Sequence, residues 1–123
     1  MSDEKKTEEP TVVGGVPVVV VQKRAKPFAL RQIKGPGATR ECLLELDEVV
    51  VGRGTDVQLI LDSAAVSRRH ARLVRAGDTY RVEDLESANG VYVNGEKSST
   101  FTTLADGDSL QIGDAVFIYQ QGR

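Results

Sequence analysis

Residues 67–95 read SRRHARLVRAGDTYRVEDLESANGVYVNG, and this stretch decides the fold. His70–Arg75 and Tyr80–Asp84 are typical of strands, and Ala76-Gly77-Asp78 between them predicts a hairpin turn. A third short strand, Val91–Val93, lies between two Asn-Gly pairs, whose residues tolerate the positive φ of a tight turn. The stretch therefore predicts consecutive β-strands joined by short turns.

The same pattern continues on both sides of this stretch. Further strands are predicted at Phe28–Lys34, Arg40–Asp47, Val49–Val51, Gln58–Leu61, Ser109–Ile112 and Ala115–Gln120. No long segment has a clear helical period, and many short strands at regular spacing predict an all-β sandwich. Within Arg40–Asp47, Cys42 has the same parity as Leu44 and Leu46, which predicts a buried structural thiol.

Length and charge limit the class of protein. The chain has 123 residues, enough for one domain with one core, and its net charge of −2 predicts no bulk attraction to nucleic acid. Its longest apolar run, Val16–Val21, is much shorter than the ~20 residues that span a bilayer. The N-terminus lacks the residue order of a signal peptide, so we expect a cytoplasmic protein that does not bind a membrane.

The domain boundary is predicted near Phe28. Residues 1–27 are expected to form a flexible N-terminal tail with a valine-rich segment, and residues 28–123 the folded domain. Because valine strongly favours strands, Val16–Val21 either adds a strand to the domain or docks on a partner or another copy. The sequence leaves this choice open.

Three polar patches lie where strands give way to loops. They are Gly52-Arg53, Ser67-Arg68-Arg69-His70 and Ser87-Ala88-Asn89-Gly90. A phosphorylated side chain carries about −1.5 to −2 charges and three acceptor oxygens at pH 7. The guanidinium, hydroxyl and amide groups of the patches suit such a ligand better than they suit a reaction centre. Because loops at one end of a sandwich can converge, the patches are candidates for a single site.

Other functional classes fit the residues less well. Ser67 and His70 suggest nucleophile chemistry only superficially, since no Gly-x-Ser-x-Gly elbow surrounds the serine, and we expect no enzyme activity. The single histidine has no cysteine partners for zinc and no phosphate-binding Gly-x-x-x-x-Gly-Lys loop is present, so neither a metal nor a cofactor is expected. Acidic residues at 83, 84 and 86 follow the arginine cluster at 68–81 at once, which argues against a nucleic-acid partner.

The ordered set of motifs resembles the forkhead-associated domain family. It consists of Gly52-Arg53, Ser67-x-x-His70, Asn89-Gly90, Val93-Asn94-Gly95 and Leu104-x-Asp106-Gly107-Asp108-x-Leu110-x-Ile112-Gly113. The resemblance covers about residues 28–119. It implies an eleven-strand β-sandwich that binds phosphothreonine peptides through loops at one end.

The resemblance assigns a role to each patch by position. The phosphate-binding residues would be Arg53, Ser67 and Arg68. The residues that support the site would be Gly52, His70 and Gly90.

The third patch would hold the peptide main chain. Asn89 has an amide that can both donate to and accept from a peptide backbone. Ala88 stands where many family members have Thr or Ser, and it can offer a peptide only its backbone N–H.

The resemblance also implies the partners. The ligand would be a phosphothreonine-containing protein, either a signalling partner or a Ser/Thr kinase. Thr11, and secondarily Thr7, are candidate phosphorylation sites, since the tail resembles that of small bacterial regulators whose phosphorylated N-terminal threonine occupies the domain's own site. The chain from Thr11 to Phe28 spans about 23 Å as a flexible linker, against a domain radius of gyration of about 12–13 Å, so the reach suffices. The alternatives are a tail that merely solubilises and a phospho-independent interaction module of the same fold.

Overall fold

The chain folds into a β-sandwich preceded by a small hairpin. The computed structural model describes residues 11–13, 16–18, 26–37 and 39–122. The strands are β1 Thr11–Val13, β2 Val16–Val18, β3 Ala29–Lys34, β4 Glu41–Leu43, β5 Glu48–Gly52, β6 Leu59–Ile60, β7 Ala71–Ala76, β8 Thr79–Asp84, β9 Val91–Val93, β10 Glu96–Lys97, β11 Phe101–Thr103, β12 Ser109–Ile112 and β13 Ala115–Gln120. No α-helix occurs within these ranges.

The strands from β3 onward form two sheets. One has six strands in the order β10-β9-β12-β13-β3-β4, and the other has five in the order β11-β8-β7-β5-β6. Neighbouring strands are antiparallel, except that β5 and β6 are parallel. The hairpin pairs β1 with β2, with Thr11 opposite Val18. The eleven strands of the two larger sheets confirm the predicted all-β sandwich.

Side-chain alternation places one face of each sheet in a common core. Along β13, Ala115, Phe117 and Tyr119 are fully buried, and the residues between them are partly exposed. Tyr80 and Val82 do the same on β8 in the other sheet. Burying a large apolar side chain contributes about 1.5–3 kcal/mol. Because every second side chain of these strands is buried, this apolar burial is the main contribution that holds the two sheets together.

The two ends of the sandwich can be recognised by what β3 and β13 touch there. At one end, Gln120 Nε2 donates a hydrogen bond to Pro27 O at 2.7 Å, and a Cβ on Gly122 would lie 2.3 Å from the ring of Phe28. At the other end, the chain turns out of β3 at Gly35, where a Cβ would lie 2.6 Å from Ala115 Cα. The sandwich therefore begins and finishes at the same end.

Two buried tyrosines close the core near Phe28. Tyr119 Oη accepts a hydrogen bond from the backbone N–H of Tyr80 at 3.2 Å and donates one to Gln121 Oε1 at 2.8 Å. Tyr80 Oη donates to Leu46 O at 2.6 Å. Burial raises the pKa of both phenols. These hydrogen bonds satisfy the polar tips of two large rings that otherwise pack among apolar residues.

The segment around β4 differs from the sequence-based expectation. The predicted strand Arg40–Asp47 is short: β4 covers only Glu41–Leu43, Leu46 is 55% exposed, and Cys42 is half-buried rather than fully buried. Since β3 begins at Ala29, opposite Leu43, the residues after Leu44 have no partner strand with which to continue the ladder. The prediction of a longer half-buried strand was wrong beyond this point.

Most of the predicted tail lies outside the described residues. This applies to residues 1–10, which include Thr7, and to residues 14–15 and 19–25. The boundary at residue 28 between a flexible tail and the folded domain therefore stays a prediction.

We predict that Tyr119→Phe lowers the free energy of unfolding by about 1–3 kcal/mol, because the buried N–H of Tyr80 loses its hydrogen-bond partner. Tyr92→Phe is the matched control, since Tyr92 is half-buried and its hydroxyl bonds no residue in the described ranges. Urea denaturation of the two variants measures the difference. Equal losses in both would contradict this role for the Tyr119 hydroxyl.

The raised pKa values of Tyr80 and Tyr119 also predict an alkaline limit to stability. In the unfolded chain a phenol ionises near pH 10, whereas burial keeps both phenols protonated to higher pH in the folded protein. Their contribution is fully present below the unfolded pKa and is lost as the pH rises through the folded pKa. We expect the free energy of unfolding to fall above about pH 10 and to fall less steeply in Tyr119→Phe, as measured by urea titrations at several pH values.

Candidate functional site

Three loops meet at the end of the sandwich where β3 finishes. They connect β5 to β6, β6 to β7 and β8 to β9, and are called here the first, second and third loops. The backbone N–H of Arg53 donates to Ser67 O at 2.9 Å, and that of Gly54 donates to Arg68 O at 3.0 Å. These two backbone hydrogen bonds join the first loop to the second, which brings the first two polar patches of the sequence together.

Gly52 makes this contact between loops sterically possible. A Cβ at this position would lie 2.1 Å from the carbonyl oxygen of Arg68, far inside any real Cβ contact. The obstacle is backbone rather than a side chain that can move aside. A glycine is therefore required at the end of β5 for the second loop to cross it this closely.

His70 is fully buried between the second and third loops. Its Nδ1 accepts a hydrogen bond from the backbone N–H of Ser67 at 3.0 Å, which leaves the ring proton on Nε2. Nε2 then donates to Gly90 O at 2.7 Å. The backbone N–H of His70 donates to Val51 O at 2.8 Å. The imidazole thus joins two loops, and the backbone of His70 is bonded to β5.

Arg53 is exposed but anchored through one nitrogen. Its Nε donates to the carbonyl oxygen of Val66 at 2.8 Å, and Val66 is buried. The two terminal nitrogens of the guanidinium make no hydrogen bond to any residue in the described parts of the chain. Arg53 therefore presents a positioned pair of NH₂ groups at this end of the sandwich.

Ser67 links the second loop to the third. Its Oγ accepts a hydrogen bond from the backbone N–H of Ala88 at 3.1 Å, so the hydroxyl proton is left to donate elsewhere. The Ala88 N–H, predicted as a peptide contact, is directed at Ser67 in this structure.

The neighbouring arginines of the second loop differ in their partners. Arg69 forms an exposed ion pair with Asp56 at 3.4 Å, an interaction worth about 0–1 kcal/mol. Arg68 is exposed, and no carboxylate among the described residues lies within ion-pair distance of its guanidinium. Of the two, Arg68 is the cation that is available to a ligand.

The third loop is braced by its own side chains. Ser87 receives the backbone N–H of Gly90 on its Oγ at 2.9 Å and directs its own N–H to Asp84 Oδ1 at 2.9 Å. Gly90 has a φ of +81°, a conformation that favours glycine. Asn89 Nδ2 donates to Ala65 O at 2.8 Å, which positions the amide, and the oxygen of this exposed side chain accepts no hydrogen bond from the described residues.

A groove of about 270 Å³ adjoins Asn89. Its walls include Ala65 from the second loop, Lys34 from β3 and Val116 from β13. The turn between β12 and β13 packs tightly here, since a Cβ on Gly113 would lie 2.7 Å from Ala65 O. The groove therefore continues the site from the third loop onto the ends of β3 and β13, two inner strands of the six-stranded sheet.

The structure thus assembles the eight predicted site residues of the loops at one end. Sequence reasoning missed the carbonyl oxygens of Ala65 and Val66, which orient Asn89 and Arg53. A backbone carbonyl gives no residue-type signal, so nothing in the sequence pointed to them. Thr11 belongs to β1, and Thr7 lies outside the described residues.

The geometry favours binding over covalent chemistry. Both ring nitrogens of His70 face main-chain groups, and the one near Ser67 accepts from its N–H rather than from its hydroxyl. A serine nucleophile needs a base within reach of its Oγ, and His70 does not fill that role. Within the described ranges no group of three or more His, Cys, Asp or Glu residues is placed to hold a metal ion. Those ranges also contain no helix long and apolar enough to cross a membrane.

Comparison with known proteins agrees with this geometry. The FHA domain model matches residues 49–113. The oxoglutarate dehydrogenase inhibitor of Corynebacterium jeikeium is 40% identical over 89 residues, which cover 72% of this chain and 61% of that protein. The glycogen accumulation regulator GarA of Mycolicibacterium smegmatis is 38% identical over 89 residues, 72% of this chain and 56% of its own.

A solved structure is also similar to this chain. Mycobacterium tuberculosis EmbR, determined in complex with a low-affinity phosphopeptide, superposes with a TM-score of 0.72 and 38% identity. The match covers 77% of this chain and 24% of EmbR. This chain accordingly spans less than two thirds of these relatives. The residues matched by the FHA domain model, 49–113, include all three loops. The chain belongs to the FHA-domain family.

Proposed function

We propose that the loop end of this sandwich binds phosphothreonine peptides, and that the protein is an interaction module in Ser/Thr kinase signalling rather than an enzyme. The observation that carries the proposal is the convergence of the Arg53 NH₂ groups and the Ser67 hydroxyl on loops that are already bonded to each other. The phosphopeptide bound to EmbR and the regulatory names of the other relatives support it. Such signalling would take place in the cytoplasm.

The phosphate would be held mainly by charge-assisted hydrogen bonds. Arg53 can offer two parallel N–H groups to two phosphate oxygens, Ser67 can donate its hydroxyl to the third, and Arg68 adds a second positive charge. Hydrogen bonds of this kind contribute about 1.5–3 kcal/mol each. Because the loops are already braced by one another, little further ordering is needed when the ligand arrives.

The peptide main chain would be recognised by the third loop. The oxygen of the Asn89 amide is placed to accept a hydrogen bond from a peptide N–H, since Ala65 O holds the amide nitrogen. Ala88 would add only its backbone N–H, for which it would have to release Ser67. A side chain that follows the phosphothreonine would lie toward the groove beside Asn89.

A phospho-independent interaction module of the same fold is the alternative function. It would use the same loops without the phosphate contacts, and Ala88 is the residue that favours it, because the family's usual hydroxyl is missing there. The two functions differ in one measurable respect, which is whether removing the phosphate from a ligand abolishes binding.

We predict that Arg53→Ala weakens binding of phosphothreonine peptides by about tenfold to a hundredfold or more, because charge-assisted hydrogen bonds are lost. Arg69→Ala is the matched control: it removes an equal charge from an adjacent loop position that pairs with Asp56, and should change affinity far less. Fluorescence anisotropy against a phosphothreonine peptide library, with unphosphorylated peptides in parallel, measures both. Binding that ignores the phosphate and survives Arg53→Ala would favour the alternative.

We also propose that phosphorylation of the tail regulates the same site. Because β1 pairs Thr11 with Val18, the tether that joins Thr11 to the domain is the ten residues from Val18 to Phe28, which reach up to ~33 Å. This length allows a phosphorylated Thr11, with Thr7 as the second candidate, to compete with an external peptide. The proposal rests on this reach and on the donors that the site offers to any phosphothreonine.

Phosphorylation at Thr11 is expected to lower the affinity for an external phosphothreonine peptide, because one pocket cannot hold two phosphates. Affinity is measured by calorimetry before and after treatment with a kinase. Thr11→Ala treated in the same way is the control, and Thr7→Ala tests the second threonine. If the chain phosphorylated on Thr11 binds peptides as well as the unmodified chain, occupation of the site by Thr11 is excluded.

A further inference from the structure

An open apolar groove runs along the side of the sandwich between β4 and β6. These are edge strands of the two sheets, so neither sheet continues over this side. The groove, called here the side groove, has a volume of about 320 Å³ and is lined mainly by Cys42, Leu43, Leu44, Leu46, Val49 and Leu59. Leu43 and Leu46 are 50% and 55% exposed. Large apolar side chains exposed next to one another commonly mark a surface that another segment covers.

Strand β4 also has a free backbone edge beside the side groove. The N–H of Leu44 donates to Phe28 O, and the N–H of Gln32 donates to Arg40 O. In an antiparallel pair this pattern turns the backbone groups of alternate residues toward the partner strand. The N–H and C=O groups of Glu41 and Leu43 therefore point away from the sheet, where a further strand would find partners for its own backbone.

Acidic side chains around the side groove indicate which kind of segment can bind there. Glu45 lines the side groove, and Glu41 and Asp47 are exposed beside it. If two copies of the chain paired their β4 edges antiparallel about Leu43, Glu41 of each copy would face Glu45 of the other, and like charges directly opposite destabilise a sheet. An apolar segment with basic neighbours fits this surface better than a second copy does.

The N-terminal part of the chain has this composition and leads to this place. Val16–Val21 holds five valines and one proline, and Gln22-Lys23-Arg24-Ala25-Lys26 follows with three cations. The described part of the sandwich begins at Lys26, two residues before the Phe28 carbonyl that bonds Leu44 beside the groove. Five residues reach up to ~17 Å, whereas the step from β3 across β4 to the next strand position is ~10 Å.

From these observations we propose that the valine-rich segment Val16–Val21, whose first three residues form β2 of the N-terminal hairpin, docks in the side groove of its own domain and covers Leu43 and Leu46. Lys23 and Arg24 then lie beside Glu45. The groove sits where β4 approaches Phe28, and of the three loops only the first contributes to its lining, through Gln58 next to β6. None of the predicted phosphate-binding residues lines it, so docking and phosphate binding use separate surfaces. The proposal goes beyond the phosphopeptide function and holds independently of it.

Cys42 provides a direct test in the full-length chain, because it is the only cysteine and lines the groove. We expect its reaction rate with a maleimide to rise about tenfold or more when Val20→Asp and Val21→Asp are introduced together, since labelling would no longer require the segment to undock. Thr7→Asp with Pro10→Asp is the matched control: it adds the same two charges to the tail outside the segment and should leave the rate unchanged.

A second readout comes from the groove itself. Leu46→Asp should release the segment, whereas Ile33→Asp, at a similarly exposed residue on β3 outside the groove lining, should not. Amide hydrogen exchange at Leu43, whose N–H faces the free edge, should quicken in the Val20→Asp, Val21→Asp chain. Phosphothreonine-peptide affinity is measured alongside and should not change with these substitutions.

Two outcomes would overturn the proposal. One is an equal labelling rate in the unsubstituted chain and in the Val20→Asp, Val21→Asp chain, which would show that the segment does not cover Cys42. The other is protection that grows with protein concentration, which would place a second copy in the groove. A failure of phosphopeptide binding would contradict the proposed function without affecting either measurement.

Discussion

The binding end of this molecule depends on one buried imidazole. His70 follows a loop of the five-stranded sheet, and Gly90, to which its Nε2 donates, leads into β9 of the six-stranded sheet. The ring therefore fastens the two sheets to each other at the point where the loops leave them. Without it, the buried carbonyl of Gly90 and the N–H of Ser67 would both lack partners, at a cost of about 1–3 kcal/mol each.

Ligand-facing groups at this end are positioned by contacts that do not use their functional atoms. Arg53 is held through Nε and keeps both NH₂ groups, Ser67 accepts a bond and keeps its proton, and Asn89 donates and keeps its oxygen. In each side chain, one donor or acceptor group makes the hydrogen bond that orients it, and another remains available to a ligand. This division explains how exposed polar residues on loops can be arranged before any ligand is present.

The sequence predicted those parts of the fold in which local pattern and tertiary pairing agree. The β7–β8 hairpin and the β12–β13 pair are short runs rich in strand-forming residues on either side of a glycine-containing turn, so both follow from residue types. The length of β4 does not, since its end is set by where β3 begins, and β10 and β11 are too short to show a period. In the site, the order of motifs indicated which side chains converge. The difference between Arg68 and Arg69 depends on Asp56, which only folding brings alongside.

The two ends of the sandwich sequence lie next to each other, where Gln120 and Gly122 contact Pro27 and Phe28. This proximity determines how the domain can be joined to other sequence. The polypeptide arrives and departs on the side remote from the three loops. Additional sequence attached at either point begins away from the three loops, and it reaches them only if it folds back, as proposed for the phosphorylated tail. The sandwich can thus be transplanted as a unit between otherwise unrelated polypeptides, and EmbR, in which the matched region is about a quarter of the chain, illustrates that architecture.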